Sequence, residues 1–449
     1  MTGARQGDGL LRTAFLSILA AFACIALTQS LEAAARDSTS VSARDILHRT
    51  GVQGGLIVHL GCGDGKLTAA LRANDSYVVQ GLDQDSENVA KARRHIRSLG
   101  LYGPVSVEQW NGKSLLYADN LVNLVVAETR PSIPMEEIMR VLCPNGAAFI
   151  KQDGDWIKKV KAVPDDIDEW THYLHGPDNN AVAADRSVGP PRRLQWKSDP
   201  AWCRSHNGVS SSIALVLSSG GRLFSVIDEG LTGQPGLPDK WTLVARDAFN
   251  GTLLWKKPLT GKRSQKSLVA VEDRLYMAPG QGEPLTVINA ATGQTLRTLK
   301  NTEGADEIVC IDDMIVFHRS GTRRSADRKD DAIIALNTDG GEPLWQTQSK
   351  HLVPDSMAAA EGTLCYHDGK EVVCLDLHGG KELWRATCSS AQRGNLLMIY
   401  HGVVFFTAPG GLQAYAADTG EHLWKGPSVN ARLSMFGAGG LVWISDIQE

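Results

Sequence analysis

Three sets of residues have types and spacings that could do chemistry. Residues 58–65 read VHLGCGDG, with Gly61, Gly63 and Gly65 on alternate positions. Glycine lets the backbone approach a ligand closely, and the N–H groups of such a loop, continued by a helix, can receive an anionic group. Further along, Asp168, His172 and His175 fall at helical spacings that would set two imidazoles and a carboxylate on one side, a set that suits zinc or copper. The alternative is a helix end where these side chains cap and pair, and that reading is preferred, so no metal site is expected. The third set is the eight cysteines, at 24, 62, 143, 203, 310, 365, 374 and 388, with no CxxC spacing and no adjacent pair. Most read as buried thiols, although Cys365 and Cys374 could meet across a hairpin.

The elements that must position the glycine loop alternate short apolar runs with amphipathic stretches, the pattern of a parallel sheet with helices on its faces. Strands are expected at 56–60, 77–82, 105–109, 121–127 and 147–151, and helices at 86–99 and 134–142. The second of these strands ends at Asp83, and Asn111 follows the third. In the first helix Val89, Ala92, Ile96 and Leu99 share a face, and Gly100 is a natural stop.

Around this unit, residues 1–35 carry Arg5 and Arg12, an apolar run over 13–28 and a small-x-small site at Ala33 and Ala35. This is a secretory signal pattern, with an uncleaved amino-terminal anchor as the rival. The expected location is therefore outside the cytoplasm, in the periplasm or cell envelope, with membrane contact only through that segment. A formal net charge of −4 gives no basic excess for gripping phosphates, so nucleic acid is not expected as a partner.

After residue 205 one phrase recurs five times: VARDAFNGTLLW, TVINAATGQTLR, IALNTDGGEPLW, VCLDLHGGKELW and AYAADTGEHLW. Its glycines, Gly251, Gly293, Gly341, Gly380 and Gly420, lie 42, 48, 39 and 40 residues apart. A period near 40 built of short strands predicts a β-propeller with one four-stranded blade per repeat. Trp255, Trp345, Trp384 and Trp424 are expected to wedge between blades, and Arg297 in the same place should weaken its seam. The final residues look like the opening of a sixth blade, which leaves a fragment, a truncated reading frame or half of an assembly as the alternatives. His206 could line the funnel or merely satisfy a turn, and the charged run RRSADRKDD (323–331) reads as a solvated loop. The expected domains are 1–35 signal peptide, 43–163 α/β domain, 164–205 connector and 206–449 propeller repeats. Trp170, Tyr173, Leu174 and Trp196 are too apolar for a floppy tether, so the connector should pack along one or both domains.

The VHLGCGDG segment resembles the first motif of class I S-adenosylmethionine-dependent methyltransferases. VVQGLDQDSENVAKAR (78–93) resembles their second motif, and EIMRVLCPNGAAFI (137–150) the lead into their fifth strand. The resemblance implies that Gly61, Gly63 and Gly65 cradle the methionine end of the cofactor, that Asp83 accepts the ribose hydroxyls, and that Asn111 takes the adenine amino group. His59, Asn111 and Asn123 stand where the family usually carries acids, and no catalytic base is named. The repeats resemble those of quinoprotein dehydrogenases and of BamB, the propeller lipoprotein of outer-membrane barrel assembly. Quinoproteins hold pyrroloquinoline quinone with a vicinal cysteine pair, absent here, so that cofactor is not expected. The whole chain looks like large exported planctomycete-type proteins that join the two modules.

The reading is a Rossmann-like α/β domain followed by an incomplete all-β propeller. The propeller is expected to bind a protein or envelope partner, and the first domain to keep a methyltransferase fold. S-adenosylmethionine is made and used in the cytoplasm, which ranks an active methyltransferase second; quinone-dependent oxidoreduction comes third.

Overall fold

The structure, a computed structural model, describes residues 41–445 apart from 188, 191–193, 200–211, 231–236, 262–263, 281, 321–330, 340–341, 350–351, 389–395, 409–410 and 427–433. The expected signal segment (1–35), Cys24, Cys203, His206, Gly341 and nearly all of the RRSADRKDD run lie outside the described residues.

The chain enters through α1 (Ala43–Thr50), which the sequence reading did not anticipate. Ser42 and Asp45 form a reciprocal capping box at its start, and Gly51 closes it at φ +76°, a conformation open to glycine without a side-chain penalty. Ile46 and Leu47 press its apolar face onto the sheet. The strands β1 (Gly55–Leu60), β2 (Tyr77–Asp83), β3 (Val105–Gln109), β4 (Val122–Ala127), β5 (Leu142–Gln152) and β6 (Asp155–Val160) form one sheet in the order β3-β2-β1-β4-β5-β6. The first five are parallel, and β6 returns antiparallel as a single hairpin arm. Helices α2 (Lys66–Ala70), α3 (Ser86–Ser98) and α4 (Met135–Val141) supply crossovers. Strands buried on both faces read as continuous apolar runs, which is why β1 and β4 lack alternation. The strand order reverses between β1 and β4, so the carboxyl ends of these two strands are the place where an open α/β sheet offers a crevice.

From Ile213 onward five four-stranded antiparallel sheets follow in chain order, β7–β10 (213–258), β11–β14 (268–298), β15–β18 (305–348), β19–β22 (358–387) and β23–β26 (397–425), and then the pair β27 (Ser434–Ala438) and β28 (Leu441–Ser445). In each, the first strand is innermost: β7 (Ile213–Ser219), β11 (Leu268–Val271), β15 (Ala305–Ile311), β19 (Ala358–Ala360) and β23 (Leu397–Tyr400) contact one another in succession, and β23 meets β27. The apolar clusters lie between blades. Phe317 and Ile334 of the third sheet share one cluster with Tyr276 and Val287 of the second, and Leu364 and Tyr366 of the fourth share another with Val316 and Ile333 of the third. One blade cannot bury its own faces, so stacking supplies the core.

The tryptophans explain the repeat's glycine. Trp255, Trp345 and Trp384 donate their indole N–H to Ala290 O, Leu377 O and Ala417 O of the following blade at 2.9, 2.9 and 2.8 Å. A Cβ at Gly293, Gly380 or Gly420 would come within 3 Å of the indole rings of these tryptophans, and each glycine also holds positive φ. Trp196, in the connector, does the same to the first blade, donating to Ala248 O at 3.0 Å over Gly251. Arg297, expected to weaken its seam, is bonded across it: its guanidinium donates to Thr338 O and Asp339 O, the place an indole N–H takes elsewhere. Trp424 is 44% exposed. Cys365 and Cys374 face each other across β20 (Thr363–His367) and β21 (Glu371–Asp376) and are disulfide-bonded.

Candidate functional site

The glycine loop leaves β1 at the carboxyl edge of the sheet and is tied to the end of β2. Gly61 N and Cys62 N donate to Leu82 O at 2.8 and 3.2 Å, and Gly63 N donates to Asp83 Oδ2 at 2.9 Å. Gly61, Gly63 and Gly65 all have positive φ, at 70°, 53° and 81°. A Cβ on Gly61 or Gly63 would meet nothing within 4 Å, so bare backbone faces open space there; on Gly65 it would strike Ala92 of α3 at 2.7 Å. Two of the glycines therefore shape a surface and the third lets a helix close on the loop.

Asp83 is almost fully buried. Besides Gly63 N, its carboxylate accepts Asp85 N at 2.9 Å and Asn88 Nδ2 at 3.3 Å. A carboxylate has about four acceptor positions, and three are used. Asn111 follows β3 beside this group, since Trp110 N donates to Asp83 O at 2.8 Å; its own Oδ1 accepts Lys113 N at 3.0 Å in a tight turn, and the residue is exposed.

His59 lies beneath the loop, 1% exposed. Its Nδ1 shares a hydrogen with Thr68 Oγ1 at 2.8 Å, whereas Nε2 has no hydrogen-bond partner and points toward Glu128 Oε2 at 3.9 Å. Burial pushes the imidazole down to about 4, so it is neutral at pH 7. Glu128, half exposed just beyond the carboxyl end of β4, is an acid near His59 that sequence reasoning missed. Its signal was available: it is the first residue beyond an apolar strand in a βαβ unit, where functional side chains gather. Burial drives the Cys62 thiol up to about 12, which leaves it protonated and inert.

Asn123 belongs elsewhere. It stands at the start of β4, on the amino edge of the sheet, where Oδ1 accepts Leu56 N at 2.8 Å and Asn250 Nδ2 at 2.7 Å. Its Nδ2 donates to Asp247 Oδ2 at 2.6 Å. Asn250 Nδ2 also reaches Leu121 O at 2.9 Å, and Ser76 Oγ donates to Leu254 O at 2.6 Å. Asp247, Asn250 and Leu254 lie on the first blade, so these residues clamp the α/β domain to it. Leu254 is packed so closely that a Cβ on Gly54 would lie 2.6 Å from its Cδ2. A cavity of about 310 Å³ opens beside the clamp, with Gly51, Gln53, Pro144, Arg222 and Glu272 among its walls. The clamp is at the opposite end of the strands from the glycine loop, which stays uncovered by it.

The leucine before the seam position repeats in every blade. Leu254 is 9% exposed under the α/β domain, whereas Leu296, Leu344, Leu383 and Leu423 are 53%, 48%, 46% and 45% exposed on the outer strands.

The connector histidines are not on a helix. The backbones of His172 and His175 bond to each other across a turn; His172 Nδ1 meets Thr171 Oγ1 at 2.8 Å, and its Nε2 accepts Cys310 N at 3.0 Å. His175 Nε2 pairs with Asp168 Oδ2 at 2.7 Å. Both nitrogens of His172 are engaged, so the three side chains do not converge; among the described residues no group of three His, Cys, Asp or Glu is placed to hold a metal.

The family model for the outer membrane protein assembly factor BamB matches residues 186–324 and 329–448, more than half of the chain. The chain belongs to the BamB family. This BamB-family propeller is fused to a second module, since a methyltransferase-domain model matches residues 57–146. Among solved structures it is similar to BamB from Moraxella catarrhalis, at 17% identity over 52% of this chain and 71% of that one, TM-score 0.39. It is also similar to a putative S-adenosylmethionine-dependent methyltransferase from Methanococcus maripaludis, at 23% identity and TM-score 0.23. That match covers 24% of this chain and 52% of the other, about half its length. A geranyl diphosphate methyltransferase in complex with S-adenosylmethionine is similar at 19% identity, TM-score 0.22, over 24% of this chain and 46% of that one. No curated protein is similar to the chain in sequence.

Proposed function

We propose that the chain is an exported protein whose propeller docks a protein partner of the cell envelope along its outer rim, and whose first domain is a methyltransferase fold carried as a docked module. The observation that carries this reading is the leucine series. Where Leu254 occurs on the first blade it is covered by a folded domain, and the same position on the next four blades is open. A repeat that buries one copy of an apolar handle against protein offers the remaining copies for the same use. The Cys365–Cys374 disulfide supports an oxidising location, as does the BamB family itself.

Photo-crosslinking residues placed at Leu344 and Leu383 in growing cells test the docking. A discrete adduct in the envelope fraction, lost when the neighbouring rim leucines are changed to glutamate, is expected. Adducts no more specific than those from an exposed position on an inner strand such as Val216 would contradict it.

A second reading, an active methyltransferase, draws on the loop. Bare backbone over Gly61 and Gly63 and the unused acceptor position on Asp83 fit the methionine and ribose ends of S-adenosylmethionine, and Asn111 keeps an oxygen lone pair for the adenine. That cofactor would supply an electrophilic methyl group; Glu128 is the side chain best placed to accept a proton from an acceptor at that edge. Calorimetric titration of S-adenosylmethionine into the full chain decides between the readings. Micromolar binding abolished by Asp83→Ala would promote the enzyme; no heat from a folded protein would leave function to the propeller.

A further inference from the structure

One stretch of the connector does not lie on the outside of the propeller. Residues 170–180 cross its axis and collect one backbone N–H from the innermost strand of each of the six sheets. Ser218 N donates to Trp170 O at 2.8 Å, Ala270 N to Thr171 O at 3.0 Å and Cys310 N to His172 Nε2 at 3.0 Å. Ala359 N donates to Pro177 O at 2.8 Å, Ile399 N to Asp178 O at 3.0 Å and Gly437 N to Asn180 Oδ1 at 2.8 Å. These donors sit on β7, β11, β15, β19, β23 and β27 in chain order, so the segment visits the sheets one after another. It also gives bonds back. Asn179 Nδ2 spans Met357 O and Leu397 O at 3.0 and 2.8 Å, and Asn180 Nδ2 reaches Gly437 O at 3.1 Å.

This is how an extended peptide is held by a receptor, by main-chain donors from several elements with a few side chains fixing register. The segment has no helix or strand of its own. Thr171, Tyr173, Leu174, His175, Pro177 and Asp178 are only half-buried, unlike residues of a core. We infer that the propeller axis is a binding site for an extended peptide, filled in cis by residues 170–180. The ligand class is a polypeptide stretch offering main-chain carbonyls toward four of the inner strands, an imidazole nitrogen toward a fifth and a carboxamide oxygen toward the sixth. This stands independently of the rim, because the axial donors and the rim leucines are at opposite ends of every sheet. Tethering gives the cis segment an effective concentration in the millimolar range, so a partner's peptide enters only where it outcompetes that value.

The test uses the full chain carrying Asn179→Ala and Asn180→Ala, followed by amide hydrogen exchange, with a synthetic peptide of residues 166–182 as probe. Expected is exchange at least about tenfold faster at the six donor amides, unchanged protection at the strand-pairing amides of the same sheets, and recovery of the donors when the peptide is added. The wild-type chain should not respond to the peptide. Faster exchange throughout the sheets, or donor amides that stay protected or are not rescued by the peptide, would overturn the inference. The single variant Asn180→Ala is a milder check that keeps the fold: it should expose Gly437 N alone, and uniform loosening there would count against the proposal as well.

Discussion

At the scale of single residues, Asp83 and His59 carry different burdens. Asp83 is both a candidate ligand for ribose and the acceptor that holds Gly63 N and Asp85 N. Asp83→Ala should therefore cost about 1–3 kcal/mol in urea unfolding as well as any cofactor affinity, because two backbone donors lose their acceptor. His59 and His172 are neutral in the fold, pushed by burial from the ordinary 6.5 down to about 4 and about 3. Above pH 6.5 neither state binds their protons. Between 6.5 and these values the unfolded chain takes up protons that the folded chain refuses, so stability falls as the pH drops. Each histidine should remove about 2 kcal/mol by pH 5, and His59→Gln should abolish its own share, read as a smaller difference between unfolding midpoints at pH 7 and pH 5. The glycine loop was legible from its spacing, and Asp83 from the resemblance of residues 78–93 to the second methyltransferase motif. The approach of Glu128 to His59 was not, since it depends on β4 lying beside β1, a pairing between strands far apart in sequence.

Elements show the same division between local and distant information. The five repeat phrases announced the blades because each packs an apolar run, a turn glycine and a large side chain into a dozen residues. Trp196 has an equivalent seam role but sits in a polar stretch without the preceding phrase, and so it read as connector. The helical reading of 168–175 failed because its spacing matched a helix by coincidence, while the inter-sheet bonds that fix it come from the first three sheets downstream. Arg297 tests whether a guanidinium can stand in for an indole. Arg297→Ala should destabilise by about 1–3 kcal/mol, having left two carbonyls without their donor. Trp384→Ala should cost more, about 3–5 kcal/mol, since it removes buried ring area together with the bond to Ala417 O. Thermal or denaturant midpoints of the two variants give the comparison.

For the whole molecule, the informative residue is Asn123. Read against methyltransferases it is a missing acid; in the fold it is the centre of a polar clamp to the first blade, where an unpaired carboxylate facing Asp247 would be repelled. Burial raises Asp247, and the Asn123 amide offsets that cost by donating to it. The clamp uses the amino edge of the sheet, the connector uses the propeller axis, and the glycine loop and the leucine rim stay open. Docking through the repeat leucine is the central claim, and small-angle scattering of Leu254→Glu beside Leu344→Glu tests it most directly. Leu254→Glu is expected to release the α/β domain and enlarge the radius of gyration, with Leu344→Glu indistinguishable from wild type. Equal radii for both variants and the wild type would mean that the leucine is not what holds the domain, and the rim would lose its claim as a docking surface.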